Sequence, residues 1–130
     1  MKRLRLCPLL LLCSIAACHS SLGPDASQPE ADKTLQTALE AWKSGKTQAD
    51  LEKGNPSIIM NEDDWRTGKR LVDFKMEEST LSGRQVRCRV HIRLQDPTNK
   101  IVEQDAVYII DTTPRIVIVR DTFASFTPQQ

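Results

Sequence analysis

Cys88 and His91 are the one thiol–imidazole combination at short range in the body of this chain. They lie in "RQVRCRVHIRLQD", residues 84 to 96. Such a pair can activate a cysteine nucleophile or begin a metal site. Their spacing opposes both uses. Arg87, Arg89, His91 and Arg93 occupy alternate positions, and Val86, Cys88, Val90, Ile92 and Leu94 fill the gaps. That is the period of a half-buried strand, in which residues three apart point to opposite faces. The only other histidine is His19, far upstream. No base is therefore available for a Cys-His or Ser-His-Asp arrangement, and zinc would lack its three or four ligands. Cys88 reads as a small buried hydrophobe. No catalytic residue, metal site or cofactor is expected.

The comb of cations could instead face a polyanion, a lipid headgroup or only water. Its hairpin neighbours favour water. "DPTNK" (96–100) fits a three-residue loop in which Asn99 takes the left-handed position. Pairing Asp96 with Lys100 sets Arg93 opposite Glu103 and His91 opposite Asp105. On the other face it sets Leu94, Val90 and Cys88 opposite Val102, Ala106 and Tyr108. On the preceding side, the loop "TLSGR" points to Glu77 opposite Arg87 and Asp73 opposite His91, with Phe74 and Met76 facing Val90 and Cys88. Opposite charges across a ladder add only tenths of a kcal/mol each, but they favour this register over its reverse.

Glu62, Asp63 and Asp64 are consecutive carboxylates. They lack the looped spacing that calcium needs, and a helix start explains them, since carboxylates favour the positive end. No phosphate-cradling glycine loop occurs. Trp42, Trp65 and Tyr108 are the aromatics that could line a pocket between a helix and a sheet. Core packing is the simpler explanation, given so few aromatics for a core.

These residues must be held by a small set of elements. "DKTLQTALEAWKSG" (32–45) predicts a helix with Leu35, Ala38, Leu39 and Trp42 on one stripe, Asp32 as N-cap and Gly45 as stop. Residues 47–54 predict a shorter helix capped by Thr47. "SIIM" predicts an extended segment, and residues 61–68 a helical turn or two capped by Asn61. From Lys69 the period becomes two, through four stretches ending in "RIVIV" (115–119). Helices followed by a meander predict an α+β domain over 32–124, one main helix and short helices packed on a four-stranded antiparallel sheet. "RIVIV" is apolar at successive positions, so it is expected to be buried on both faces or to form an exposed edge.

The opening residues bear on location. Lys2, Arg3 and Arg5 precede an apolar run, residues 6 to 17, too short for an ordinary membrane span. The run ends in Ile15-Ala16-Ala17-Cys18, which resembles the lipobox of bacterial lipoproteins. The resemblance implies a signal peptide at 1–17, cleavage after Ala17 and lipidation of Cys18, with the membrane as first partner. Two or more lipid chains give stable anchoring. Residues 18–31 then read as lipidated cysteine and polar, proline-bearing tether, and 125–130 as a disordered tail. Cys7 and Cys13 are lost with the signal, so Cys88 has no disulfide partner. Of 18 Lys and Arg, three precede Cys18, which leaves 15 against 17 Asp and Glu, a net −2. A nucleic-acid binder normally carries a basic surplus.

"ALEAWKSGKTQADL" (38–51) and "NPSIIMNEDDWRTGKRLVDF" (55–74), with the meander that follows, resemble small planctomycete-type lipoproteins of no assigned activity. A helix followed by meandering strands also looks like the cystatin-like or NTF2-like class, which hosts binders, scaffolds and some enzymes. The resulting expectation is a lipid-anchored, periplasm-facing protein without catalysis, a binding or assembly module with an envelope protein as partner. His19 after the lipidated cysteine leans towards the outer membrane by resemblance to lipoprotein sorting. The alternatives are an NTF2-like ligand or enzyme pocket around Trp42, Trp65 and Tyr108, and a purely structural domain in a larger complex. Oligomeric state is left open by the sequence.

Overall fold

In the computed structural model, residues 27–124 are described. The signal peptide, the lipobox with Cys18, His19, the tether up to residue 26 and the tail at 125–130 lie outside the described residues. Helix α1 runs Gln28–Lys43. It starts four residues before the expected Asp32, because Ser27 caps it and Pro29 sits in its first turn, where a missing N–H costs nothing. Ala31, Leu35, Ala38, Leu39 and Trp42 form its buried stripe. Gly45 follows with φ of +87°, the left-handed stop expected there. Helix α2, Gln48–Glu52, has Thr47 as cap. The Thr47 hydroxyl accepts from the Asp50 N–H, and the Asp50 carboxylate accepts from the Thr47 N–H. Helix α3 is the single turn Asp63–Arg66, and its cap is Glu62 rather than the expected Asn61.

The sheet differs from the expected four-stranded antiparallel meander. It has five strands in the order β1-β5-β4-β3-β2 and is mixed. The strands are β1 (Ile58–Asn61), β2 (Arg70–Ser82), β3 (Gln85–Gln95), β4 (Ile101–Asp111) and β5 (Ile116–Arg120). The "SIIM" segment is the added strand. It runs parallel to β5, with Ile58 beside Ile116 and Asn61 beside Val119. Local periodicity carries no information about a partner so distant along the chain, and a four-residue apolar run has too few residues to declare a period. The pairing also resolves "RIVIV". β5 is an interior strand with Ile118 buried on one face and Val119 38% exposed on the other.

The register of β3 with β4 is the expected one. Arg93 faces Glu103, His91 faces Asp105, and Cys88 faces Tyr108. Asn99 takes the positive φ that its loop requires. The register of β2 with β3 is not. Asp73 faces Arg93 instead of His91, Met76 faces Val90 instead of Cys88, and Thr80 instead of Glu77 faces Arg87. Irregularities between Leu71 and Asp73 and between Met76 and Ser79 insert extra residues into β2. The difference arises first at the loop, a two-residue Gly83–Arg84 turn between the paired Ser82 and Gln85, and each bulge then slides the ladder by one residue. Helix α1 lies over β2, β3 and β4. It covers the face bearing Val86, Cys88, Val90, Ile92, Leu94 and Tyr108, all essentially inaccessible. Leu35 and Leu39 are fully buried against this face, each worth about 1.5–3 kcal/mol. No described helix is long and apolar enough to cross a membrane.

Candidate functional site

The densest chemistry lies at the β1–α3 end of the core. β1 delivers Glu62 to the start of α3, and α3 carries Asp64. Tyr108 on β4 and Arg120 at the end of β5 are cross-strand neighbours on the same face. Glu62 is fully buried. Its Oε2 accepts from the Tyr108 hydroxyl at 2.6 Å, and its Oε1 accepts from Arg120 at 3.1 Å and from the Asp64 N–H at 3.1 Å. Arg120 also donates to Asp64. Asp64 further accepts from Lys69 Nζ at 2.6 Å and from Gln104 at 3.0 Å. Two carboxylates thus meet two cations.

Burial alone would raise the Asp64 pKa, but the hydrogen bonds and charges of Lys69 and Arg120 outweigh it and hold the carboxyl below 3.8. Burial works against the Arg120 charge, yet Glu62 and Asp64 keep the guanidinium more firmly protonated than usual. Burial, and then the Glu62 charge, push Tyr108 well above its ordinary 10.0, so the phenol keeps its proton. Both Glu62 oxygens are occupied and every partner is protonated. The cluster ties α3 to β4 and β5. Its donors and acceptors are engaged with one another inside the core.

The three aromatics singled out in the sequence divide between two places. Trp42 and Trp65 stack on each other, with centroids 5.4 Å apart and planes 9° from parallel. Their ring N–H groups donate to the backbone carbonyls of Lys69 and Lys46 at 2.9 and 3.0 Å. The stack closes α1 against α3, with both polar edges satisfied. Tyr108 belongs to the Glu62 cluster instead.

A second polar group interrupts the core at α1. Asp32, in the second turn rather than at the cap, accepts from the Ser79 hydroxyl at 2.9 Å, and Gln28 donates to Ser79 at 2.8 Å. Ser79 stands opposite Cys88. The other Asp32 oxygen is buried and has no partner among the described residues. Burial, and then the Asp32 charge, push the Cys88 thiol up to about 11. A thiol so poised is inert as a nucleophile at neutral pH.

The outer face of the sheet has no helix over it among the described residues. Half of it carries the comb, and each comb residue has a carboxylate. Arg93 meets Glu103 at 3.0 Å, His91 meets Asp105 at 2.9 Å, Arg87 meets Asp121, and Arg89 lies 3.9 Å from Glu78. The Asp105 hydrogen bond, aided by the charges of Asp105, Glu103 and Glu77, raises the His91 pKa above 6.5 against a smaller effect of burial. The other half is apolar. Ile59, Val117, Val119, Ile109 and Val107 adjoin across β1, β5 and β4, with Asn61 beside Val119 and Asp111 beside Val117 interrupting them on the same face.

Sequence reasoning missed the Glu62 cluster, although Arg120 closing an apolar run was a signal that a buried partner waited for it. It placed the comb correctly on the β4 side, where Arg93 and His91 meet Glu103 and Asp105, but not on the β2 side, where Asp73 lies opposite Arg93 rather than His91 and Arg87 finds Asp121 beyond the end of β5 rather than Glu77. Comparison of the chain with known protein families, with curated proteins and with solved structures found no match.

Proposed function

We propose that this is a lipid-anchored protein of the cell envelope, held through Cys18, facing the periplasm at the outer membrane, and working without catalysis as a binding or assembly module. The observation that carries the reading is the open outer sheet face, an apolar strip beside a charge-paired comb. The inner face is filled by α1 and the stacked tryptophans, and the buried ionic cluster is internally satisfied. Binding therefore falls to the side that no described helix covers. The finer fold reading, cystatin-like or NTF2-like, is supported by a helix layer over one face of an antiparallel run of strands. The ligand-pocket alternative for that class is disfavoured by the satisfied ring N–H groups of Trp42 and Trp65.

Two measurements test the reading. Mass spectrometry of the mature amino terminus is expected to find a lipidated Cys18, and an unmodified Cys18 overturns the anchor. A photo-crosslinking amino acid in place of Val119, in the protein's own cells, is expected to give a higher-mass protein product. The same probe in place of Glu40, on the exposed side of α1, is expected to give none. Equal yields from both positions overturn the assignment of binding to the outer face.

A further inference from the structure

We infer that one end of the domain, formed by the links 53–57, 83–84 and 112–115, seats on the anionic phospholipid headgroups of the membrane that carries the anchor. The inference rests on the reading of Cys18 as lipidated and adds the surface that meets the bilayer.

The first observation is where the chain enters the domain. Gln28 donates to the carbonyl and the hydroxyl of Ser79, both at 2.8 Å, and Asp32 accepts from the same hydroxyl at 2.9 Å. The start of α1 therefore lies beside Ser79. From Ser79 strand β2 runs on to Ser82 and the Gly83–Arg84 turn, about 13 Å further at about 3.3 Å per residue. Helix α1 runs the other way, towards Asp73, which Lys43 meets at 3.4 Å. Nine residue steps separate Cys18 from Ser27, so the anchor lies at most about 32 Å from the helix start. The hairpin tip is the end of the domain that this short reach brings to the bilayer.

The second is charge. The register aligns three links at this end. Ser82 pairs with Gln85, Val86 with Ile110, Asp111 with Val117, and Ile58 with Ile116. The links between those strands, and between α2 and β1, hold Lys53, Arg84 and Arg115 and no carboxylate. All three cations are exposed, and none has an ion-pair partner among the described residues. The acidic residues nearest to them lie behind the links: Glu30 in the first turn of α1, Glu52 at the end of α2 and Asp111 at the end of β4. The opposite end differs. Its β3–β4 link contains Asp96, and Lys69 there is held by Asp64 at 2.6 Å. Cations near an anionic membrane surface are attracted to it, and a lipid chain acting with a basic patch binds more firmly than either alone.

The third is an apolar group at the same tip. Leu81 is 53% exposed, two residues before Gly83. An apolar side chain flanked by cations suits the boundary between headgroups and acyl chains. Seated in this way the strands stand on the bilayer, and the outer sheet face looks sideways along it.

The test places the lipidated full chain in vesicles of phosphatidylethanolamine and phosphatidylglycerol, after mass spectrometry of its amino-terminal peptide. A photo-crosslinking amino acid replaces Leu81 or, as control, Ile101, which is 42% exposed at the opposite end. The probe at Leu81 is expected to give a phospholipid adduct at least fivefold above that at Ile101. Each cation near such a surface contributes about fivefold to association, so Lys53→Gln, Arg84→Gln and Arg115→Gln together are expected to lower the Leu81 adduct at least about tenfold. The thermal midpoint should stay nearly unchanged, because all three side chains are exposed. Equal yields from the two probes overturn the seat and leave the anchor. So does an adduct that survives the triple substitution, or one equally strong in vesicles of phosphatidylethanolamine alone. An unmodified Cys18 overturns the anchor and the seat with it.

Discussion

Glu62 is a carboxylate with no exposure, and its two oxygens are shared among a phenol, a guanidinium and a backbone N–H. A buried charge is tolerated only while its partners remain, because removing one leaves the desolvation cost uncompensated. Tyr108→Phe deletes the single donor to Oε2 and little volume. It is expected to lower stability by about 1–3 kcal/mol in urea unfolding, the cost of one unsatisfied buried polar group. A change within error would mean that Glu62 Oε2 finds another donor once the hydroxyl is gone. This residue was hidden in the sequence. "NEDDW" read as a helix start, which it is, but nothing local to it reveals that Tyr108 and Arg120 arrive from 46 and 58 residues away. Cys88 and His91, by contrast, were readable from parity alone, since strand geometry separates residues three apart whatever the tertiary context.

Among the elements, both helix ends and strand ends are set by backbone requirements. Gly68 ends α3 with φ of +93°, and a Cβ built there would meet nothing within 4 Å. Gly68→Ala therefore isolates conformational strain from crowding. It is expected to cost about 1 kcal/mol, read as a fall in the thermal midpoint. A neutral result would show that the turn after α3 relaxes to another conformation. The edges of the sheet are guarded by different means. β1 is only four residues long, and Pro56 precedes it. β2 is 13 residues long but is interrupted twice by bulges and studded with Asp73, Lys75, Glu77 and Glu78. Short, bulged and charged edges resist the addition of strands at the rims of the sheet. The register on this side fails at the loop itself: Ser82 pairs with Gln85 across a two-residue Gly83–Arg84 turn, tighter than the loop "TLSGR" suggests, and the two bulges then shift the ladder part of the way back. The β3–β4 loop has the expected length, and no bulge disturbs the ladder that it starts.

At the scale of the molecule, Asp64 joins the helical layer to the sheet. It reaches Lys69 after α3, Gln104 on β4 and Arg120 on β5. Its folded pKa lies below the ordinary 3.8, so the stability it contributes is present above about that pH and is lost as pH falls through the folded value. Asp64→Asn is expected to reduce stability near neutral pH by about 1.5–3 kcal/mol, as for hydrogen bonds to a charged group. Its deficit relative to the unaltered chain should shrink as acid unfolding is followed below 3.8. A deficit independent of pH would mean that the carboxylate's charge is not what binds the two layers.

By itself the sequence determined the α+β class, the stripe of α1, the caps at Thr47 and Gly45, the β3–β4 register and the alternation that separates the comb from the core. All of these depend on periodicity or on neighbours a few residues apart. Only the tertiary structure decided that "SIIM" is a fifth strand parallel to β5, that β2 is bulged, and that Glu62, Asp64, Lys69, Tyr108 and Arg120 form one cluster. It also decided that the two tryptophans stack with their ring N–H groups on backbone carbonyls, and that no described helix covers the apolar strip. Those features join residues tens of positions apart. Their partners are selected by the shape and charge of the whole packed core, which a local pattern does not encode.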